Sequence, residues 1–289
     1  MNLRVSTLFA LAAGLSACGL ADTAPPIGTA AVTLGRDRVP LGGPVEMTYR
    51  FTLAPDAPAI GEDYRVFVHF LDADGALMFS DDHEPPEPLS SWTAGREITY
   101  ERRFFMPVYP YIGEATVALG LYSPAQGDRL PLGGEDLGQR SYQVATFEMA
   151  PQSESGFLIF EEGWHAAEAV PEDPEREWRW TMGRSTISFR NPRADSTLFL
   201  EVGGRPELFD EPQVVTLSIG GTEIAALEMA PEASFHELPV TSAAMGQDDS
   251  VTLVVTVDPA FVPSEITDGA NADNRELGVQ VFYAFLETN

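Results

Sequence analysis

The chain is 289 residues long and carries 44 Asp and Glu against 17 basic residues, a formal net charge of −27. All of the basic residues are arginine, because the sequence contains no lysine; a phosphate loop built on lysine and a Schiff-base or pyridoxal site built on an amine are excluded in their usual forms. Nucleic-acid binding relies on clustered Lys and Arg that displace counterions, so a chain this acidic argues against nucleic acid as a partner.

Residues 1–17 hold one charge, Arg4, then the apolar run from Leu8 to Leu15, then Ser16-Ala17 directly before Cys18. A short basic start, an apolar core too short to span a bilayer and small residues at the end form a signal-peptide layout. Leu15-Ser16-Ala17-Cys18 resembles the lipobox of bacterial lipoproteins. The resemblance implies cleavage before Cys18, diacylglycerol on its thiol and an acyl chain such as palmitate on its new amine. One chain gives only marginal membrane binding, whereas several give stable anchoring. Gly19 in place of Asp implies sorting to the outer membrane, with the membrane as a partner through the lipid. The alternative is an ordinary secretory peptide with an incidental Cys18, which exports the chain as well. Cys18 is the single cysteine, so once lipidated it leaves no thiol for a disulfide, a nucleophile or a zinc thiolate site.

The expected organisation is a signal peptide over 1–17, a lipidated N-terminus and tether over 18–30, a first β-sandwich over 31–150 and a second, jelly-roll-like one over 151–289. Pro25-Pro26 among small residues suits the tether. Beyond it the apolar pattern has period two. Val45–Leu53, Tyr64–Leu71, Glu97–Phe105, Glu114–Tyr122 and Tyr142–Phe147 read as strands, and Asp72-Ala73-Asp74-Gly75 reads as a hairpin turn. A second series follows: Phe157–Phe160, Glu177–Met182, Ser185–Phe189, Thr197–Val202, Gln213–Ile219, Glu223–Met229, Phe235–Pro239, Ser250–Asp258 and Leu277–Leu286. Ala243–Gly246 reads as a single helical turn, and the acidic stretch Glu168–Glu177 as a solvated loop. Many short strands with turn signals between them predict an all-β chain of two consecutive sandwiches.

In the first module, Val66-Phe67-Val68-His69-Phe70-Leu71, the following Asp-Ala-Asp-Gly and the later Asp81-Asp82-His83-Glu84-Pro85-Pro86 resemble immunoglobulin-like modules of bacterial surface and glycosyltransferase proteins. His69 and His83 with Asp81 or Asp82 have zinc-ligand chemistry, against which stands a plain structural or solvent-exposed role. In the second module the order of strands and the late Arg275-Glu276-Leu277-Gly278-Val279 segment resemble galactose-binding-like jelly-roll domains.

Alternation places Trp178 and Trp180 on one face of a strand and Arg179 on the other. Aromatic faces stack on sugar rings while Arg and carboxylates bond the hydroxyls. Trp164, Trp178, Arg179, Trp180 and, in the first module, Trp92 are therefore the candidate ligand-binding residues, the alternative being that the tryptophans fill the sandwich cores. Asp268, Asn271 and Asp273 supply oxygens at spacings a structural calcium loop uses, although they lack the bidentate Glu of an EF-hand and also fit a plain turn. The usual hydrolase, zincin and dinucleotide motifs are absent. The expected function is a membrane-anchored, non-catalytic module that binds carbohydrate or another surface polymer. The rivals are an assembly subunit that contacts other surface proteins, and a glycan hydrolase acting through two of the many carboxylates.

Overall fold

The computed structural model describes residues 24–170, 173–267 and 270–289. The expected signal peptide, the lipidation site Cys18 and the calcium candidate Asp268 lie outside the described residues. No helix among the described residues is long and apolar enough to cross a membrane.

The first body runs through β1 (Gly28–Leu34), β2 (Arg38–Pro40), β3 (Pro44–Leu53), β4 (Arg65–Leu71), β5 (Leu77–Ser80), β6 (Glu97–Phe105), β7 (Gly113–Tyr122), β8 (Glu135–Asp136) and β9 (Tyr142–Ala150). One sheet has the order β1-β3-β6 and the other β2-β9-β7-β4-β5, with β8 beside β9. The pairing is antiparallel except for β2 with β9. Because β1 and β2 join opposite sheets, the chain crosses the sandwich at its first edge. Strand β3 shows why these residues make a sheet with one wet face: Val45, Met47, Tyr49, Phe51 and Leu53 are buried while Glu46, Arg50 and Thr52 are exposed. The turn after β4 forms as its sequence dictates, with Asp72 Oδ1 accepting from the amides of Asp74 and Ala76 and Gly75 at φ +77°. Strand β1 begins at Gly28, within the stretch expected to be tether.

The second body comprises β10 (Ile159–Phe160), β11 (Glu168–Val170), β12 (Asp173–Trp180), β13 (Arg184–Arg190), β14 (Ser196–Gly203), β15 (Val214–Ile219), β16 (Thr222–Glu228), β17 (Ser234–Val240), the short helix α1 (Ser242–Met245), β18 (Ser250–Asp258), α2 (Pro263–Ile266) and β19 (Gln280–Thr288). Two five-stranded antiparallel sheets, β10-β13-β18-β15-β16 and β11-β12-β19-β14-β17, enclose a core that includes Ile187, Leu200, Val215, Leu253, Val255 and Val281. Helix α1 is the expected single turn, capped by the Thr241 hydroxyl on the Ala244 amide and closed by Gly246 at φ +72°. The acidic stretch corrects one expectation. Its described residues are not a solvated loop: Glu168–Val170 form β11, and 173–177 belong to β12, which pairs with it; the exposed Arg176 and Glu177 sit on an edge where charge is tolerated.

The two bodies meet through named contacts. The Arg36 guanidinium lies 2.6 and 2.8 Å from the carboxylate oxygens of Glu287, and Tyr283 Oη donates to the carbonyl of Gly42 at 3.0 Å. Phe105 stacks on Tyr283 with ring centroids 3.4 Å apart. Arg103 pairs with Glu237 at 3.3 Å and lies over the ring of Phe235.

Candidate functional site

Strand β12 pairs with β19 at only two positions, Arg179 with Val281 and Trp180 with Gln280. Beyond them it turns its hydrogen bonds to β11, whereas β19 continues along β14 to Thr288, with a register shift beside Glu201 and Val202. The strands therefore part, and a cleft of about 200 Å³ opens between them, lined by Phe160, Glu177, Trp178, Arg179, Val281 and Phe282 among others. Strand alternation accounts for its two kinds of wall. Val281 belongs to the core, so its partner Arg179 shares the inner face and reaches Phe160 of the opposite sheet, 5.4 Å from guanidinium to ring centroid. Trp178 takes the other face, half-buried, 6.0 Å from Phe282, with its indole nitrogen buried and without a hydrogen-bond partner. Phe282 is backed by Arg176, 4.7 Å from its ring centroid, which pairs with Glu201 at 3.3 Å. Burial raises the Glu201 carboxyl above its ordinary value against the opposing pull of Arg176.

The structure sorts the candidate tryptophans. Trp178 and Arg179 line the cleft together. Trp180 shares a face with Trp178 as expected, but it is only 7% exposed and packs edge-on against Phe261, beside Leu277; its assignment as a ligand residue is corrected, because no open ring face remains. Trp164 acts from behind: its indole donates to the carbonyl of Thr186 at 2.8 Å and its ring meets Phe160 edge-on at 4.7 Å, so it holds Phe160 in place. Trp92 lies in the other sandwich, 2% exposed, against Phe51, with its indole donating to the carbonyl of Glu87. It is a core residue, and its ligand assignment is corrected as well.

Of the three calcium candidates, Asp273 has an internal partner. Both carboxylate oxygens of Asp273 are held by Arg275, at 3.0 and 3.1 Å from Nε and 2.7 Å from Nη2, and Arg275 also reaches Glu168 at 2.5 Å. Those hydrogen bonds pull the Asp273 carboxyl down to about 2. A guanidinium in that position repels a cation, and Asn271 Oδ1 is spent on the Asp273 amide as in an Asx turn. Among the described residues no cluster of three His, Cys, Asp or Glu is arranged to hold a metal.

His69 and His83 do not converge. His69 lies beside Phe67, while His83 is buried with both ring nitrogens engaged: Nδ1 at 2.9 Å from the Asp81 carbonyl and Nε2 at 2.8 Å from Tyr100 Oη. A carbonyl only accepts, so Nδ1 carries the proton and Nε2 accepts from the tyrosine. Asp81 in turn grips Arg102 at 2.8 and 3.0 Å. Sequence reasoning named His83 and Asp81 but missed Tyr100 and Arg102 as their partners, and it also missed Phe282 as the neighbour of Trp178 and Phe160 as the neighbour of Arg179. Both aromatics stood within the predicted strands, but their convergence follows from the parting of β12 from β19, which no local pattern announces.

No family model matches the chain, and no curated protein matches it. Among solved structures it aligns with a family GH115 4-O-methyl-alpha-glucuronidase (12% identity over 53% of this chain and 20% of that one, TM-score 0.33). It also aligns with the CBM51-2 and INT domains of Clostridium perfringens ZmpB (13%, 62% and 38%, TM-score 0.27) and with trypsin-activated alpha-2-macroglobulin from Escherichia coli (13%, 89% and 15%, TM-score 0.27). The chain thus spans well under half the length of each, and likenesses at these scores carry no argument about its ligand.

Proposed function

We propose that this chain is an exported lipoprotein, anchored through Cys18, whose second sandwich binds carbohydrate or a related surface polymer without catalysing a reaction. The observation that carries the binding reading is the cleft between β12 and β19, where the half-buried rings of Phe160, Trp178 and Phe282 stand beside Arg179 and Glu177 around a space of about 200 Å³. Aromatic faces take the C–H face of a sugar ring, and neighbouring charged groups take its hydroxyls. The anchoring half rests on the lipobox sequence alone.

Two experiments test the two halves. Binding to a glycan array or to insoluble polysaccharide is expected from the purified chain and is expected to fall by about tenfold or more in a folded Trp178→Ala variant, the loss of one stacking ring. Retained binding in that variant would remove the cleft from the account. Mass spectrometry of the membrane-extracted protein should find Cys18 as the acylated first residue; an unmodified thiol there would end the anchoring half.

A further inference from the structure

Arginine is the only basic side chain other than histidine in this protein, and carboxylates outnumber it more than two to one. Most described arginines are accordingly taken: Arg36 by Glu287, Arg102 by Asp81, Arg176 by Glu201, Arg275 by Asp273 and Glu168. Arg50, Arg179 and Arg184 are the described arginines whose guanidinium has neither a carboxylate nor a hydrogen-bond partner among the described residues. Arg50 and Arg184 are exposed to water, which solvates them. Arg179 is half-buried in the cleft, on the core-facing side of β12, against the ring of Phe160. The ring face of Phe160 attracts the guanidinium but uses none of its five N–H donors.

We propose that the cleft takes an acidic glycan, a polyuronate, one carboxylate of which is held by Arg179 while Trp178, on the other face of β12, stacks on a sugar ring of the same oligomer. The inference rests on the glycan-binding reading of the same cleft. A planar guanidinium matches a carboxylate with two parallel hydrogen bonds, and its carbon lies 5.4 Å from the centre of the Phe160 ring. Glu177, exposed on the cleft wall, repels a carboxylate presented from its side and so favours the orientation toward Arg179. A neutral hexose fills the same space and leaves the cation uncompensated.

The test is calorimetric titration of the full chain with oligogalacturonate, with its methyl ester and with a neutral galacto-oligosaccharide of equal length. The acid form is expected to bind roughly tenfold tighter than the other two. In Arg179→Ala, and in Arg179→Gln with its longer stem, that preference should vanish, the acid form falling to the affinity that the ester and the neutral oligomer show on the same variant; Trp178→Ala should weaken all three. Equal affinities in the native chain, or a preference that survives both Arg179 substitutions, overturn the uronate inference and leave the glycan reading standing. If none of the three binds, both fall. Should the variants misfold, the comparison of acid with ester on the native chain decides alone.

Discussion

Trp178 and Trp180 are two residues apart on one strand and share a face, yet they are expected to answer substitution in opposite ways. Trp180 is packed beneath Phe261 and Leu277, so Trp180→Ala removes a buried ring and leaves a hole, a cost of about 3 to 5 kcal/mol. Trp178 is half-exposed at the cleft, and its buried indole nitrogen has no partner to lose. Chemical denaturation should place Trp180→Ala far below the native midpoint and Trp178→Ala near it, with binding lost in the second. Equal destabilisation by the two would mean that Trp178 belongs to the core. The alternation that pairs these residues was legible in the sequence, because period two follows directly from strand geometry. Their difference was not. It depends on Phe261 and Leu277 packing over one ring and leaving the other open, a long-range event with no local signature. The same blindness affects Asp273, whose sequence neighbours look like calcium ligands until Arg275 and the distant Glu168 are brought onto it.

At the level of elements, the strand inventory was mostly readable; the seven-residue β1 was missed because its start was read as tether, and the other misses share a cause. Strands β2, β5, β8 and β11 are two to four residues long, too short for a period to register, and the Glu-rich sequence of the β11–β12 hairpin looks like a solvated loop because an edge strand tolerates charge. The edge between β5 and β6 was equally hidden. There Asp81 and His83, continuing the line of β5 alongside β4, reach Arg102 and Tyr100 on β6, so that an ion pair and a His–Tyr hydrogen bond tie one sheet to the other.

This tie predicts a pH dependence. Burial, the largest effect, lowers the proton affinity of His83, and Arg102 adds to it, while the Asp81 carbonyl and the charges of Asp81 and Asp82 act the other way. The folded state thus holds a neutral ring, whereas the unfolded chain takes up a proton near the ordinary value of 6.5. The stability that His83 contributes is present above that pH and is lost as the pH falls below it toward the folded-state value. Burial lowers His69 and His236 in the same sense. The midpoint of denaturation should therefore fall between about pH 7.5 and pH 5.5, and the fall should be shallower in His83→Gln; an unchanged slope in that variant would show that the ring does not sense pH.

For the molecule as a whole, the question is whether two sandwiches, each with its own core, behave as one body. The junction holds two ion pairs, Arg36–Glu287 and Arg103–Glu237, and one aromatic cluster, and magnitudes decide between them. Arg36 and Glu287 are 33% and 26% exposed, and a pair that wet is worth no more than about 1 kcal/mol. Phe105 against Tyr283 and Phe235 removes aromatic surface from water on both sides and adds about 0.5 to 1.5 kcal/mol of ring–ring attraction beyond that burial. The aromatic contact should therefore set the coupling. A single calorimetric transition is expected of the native chain, and Phe105→Ala should split it into two, whereas Arg36→Ala should leave it single. Phe105 does not itself line the cleft but stacks on Tyr283, which does; the split variant should still bind the ligand, and the ligand should raise only the transition of the second sandwich. A native chain that already melts in two steps would show that the junction transmits nothing, and a ligand that raises both steps of Phe105→Ala would place part of its site on the first sandwich.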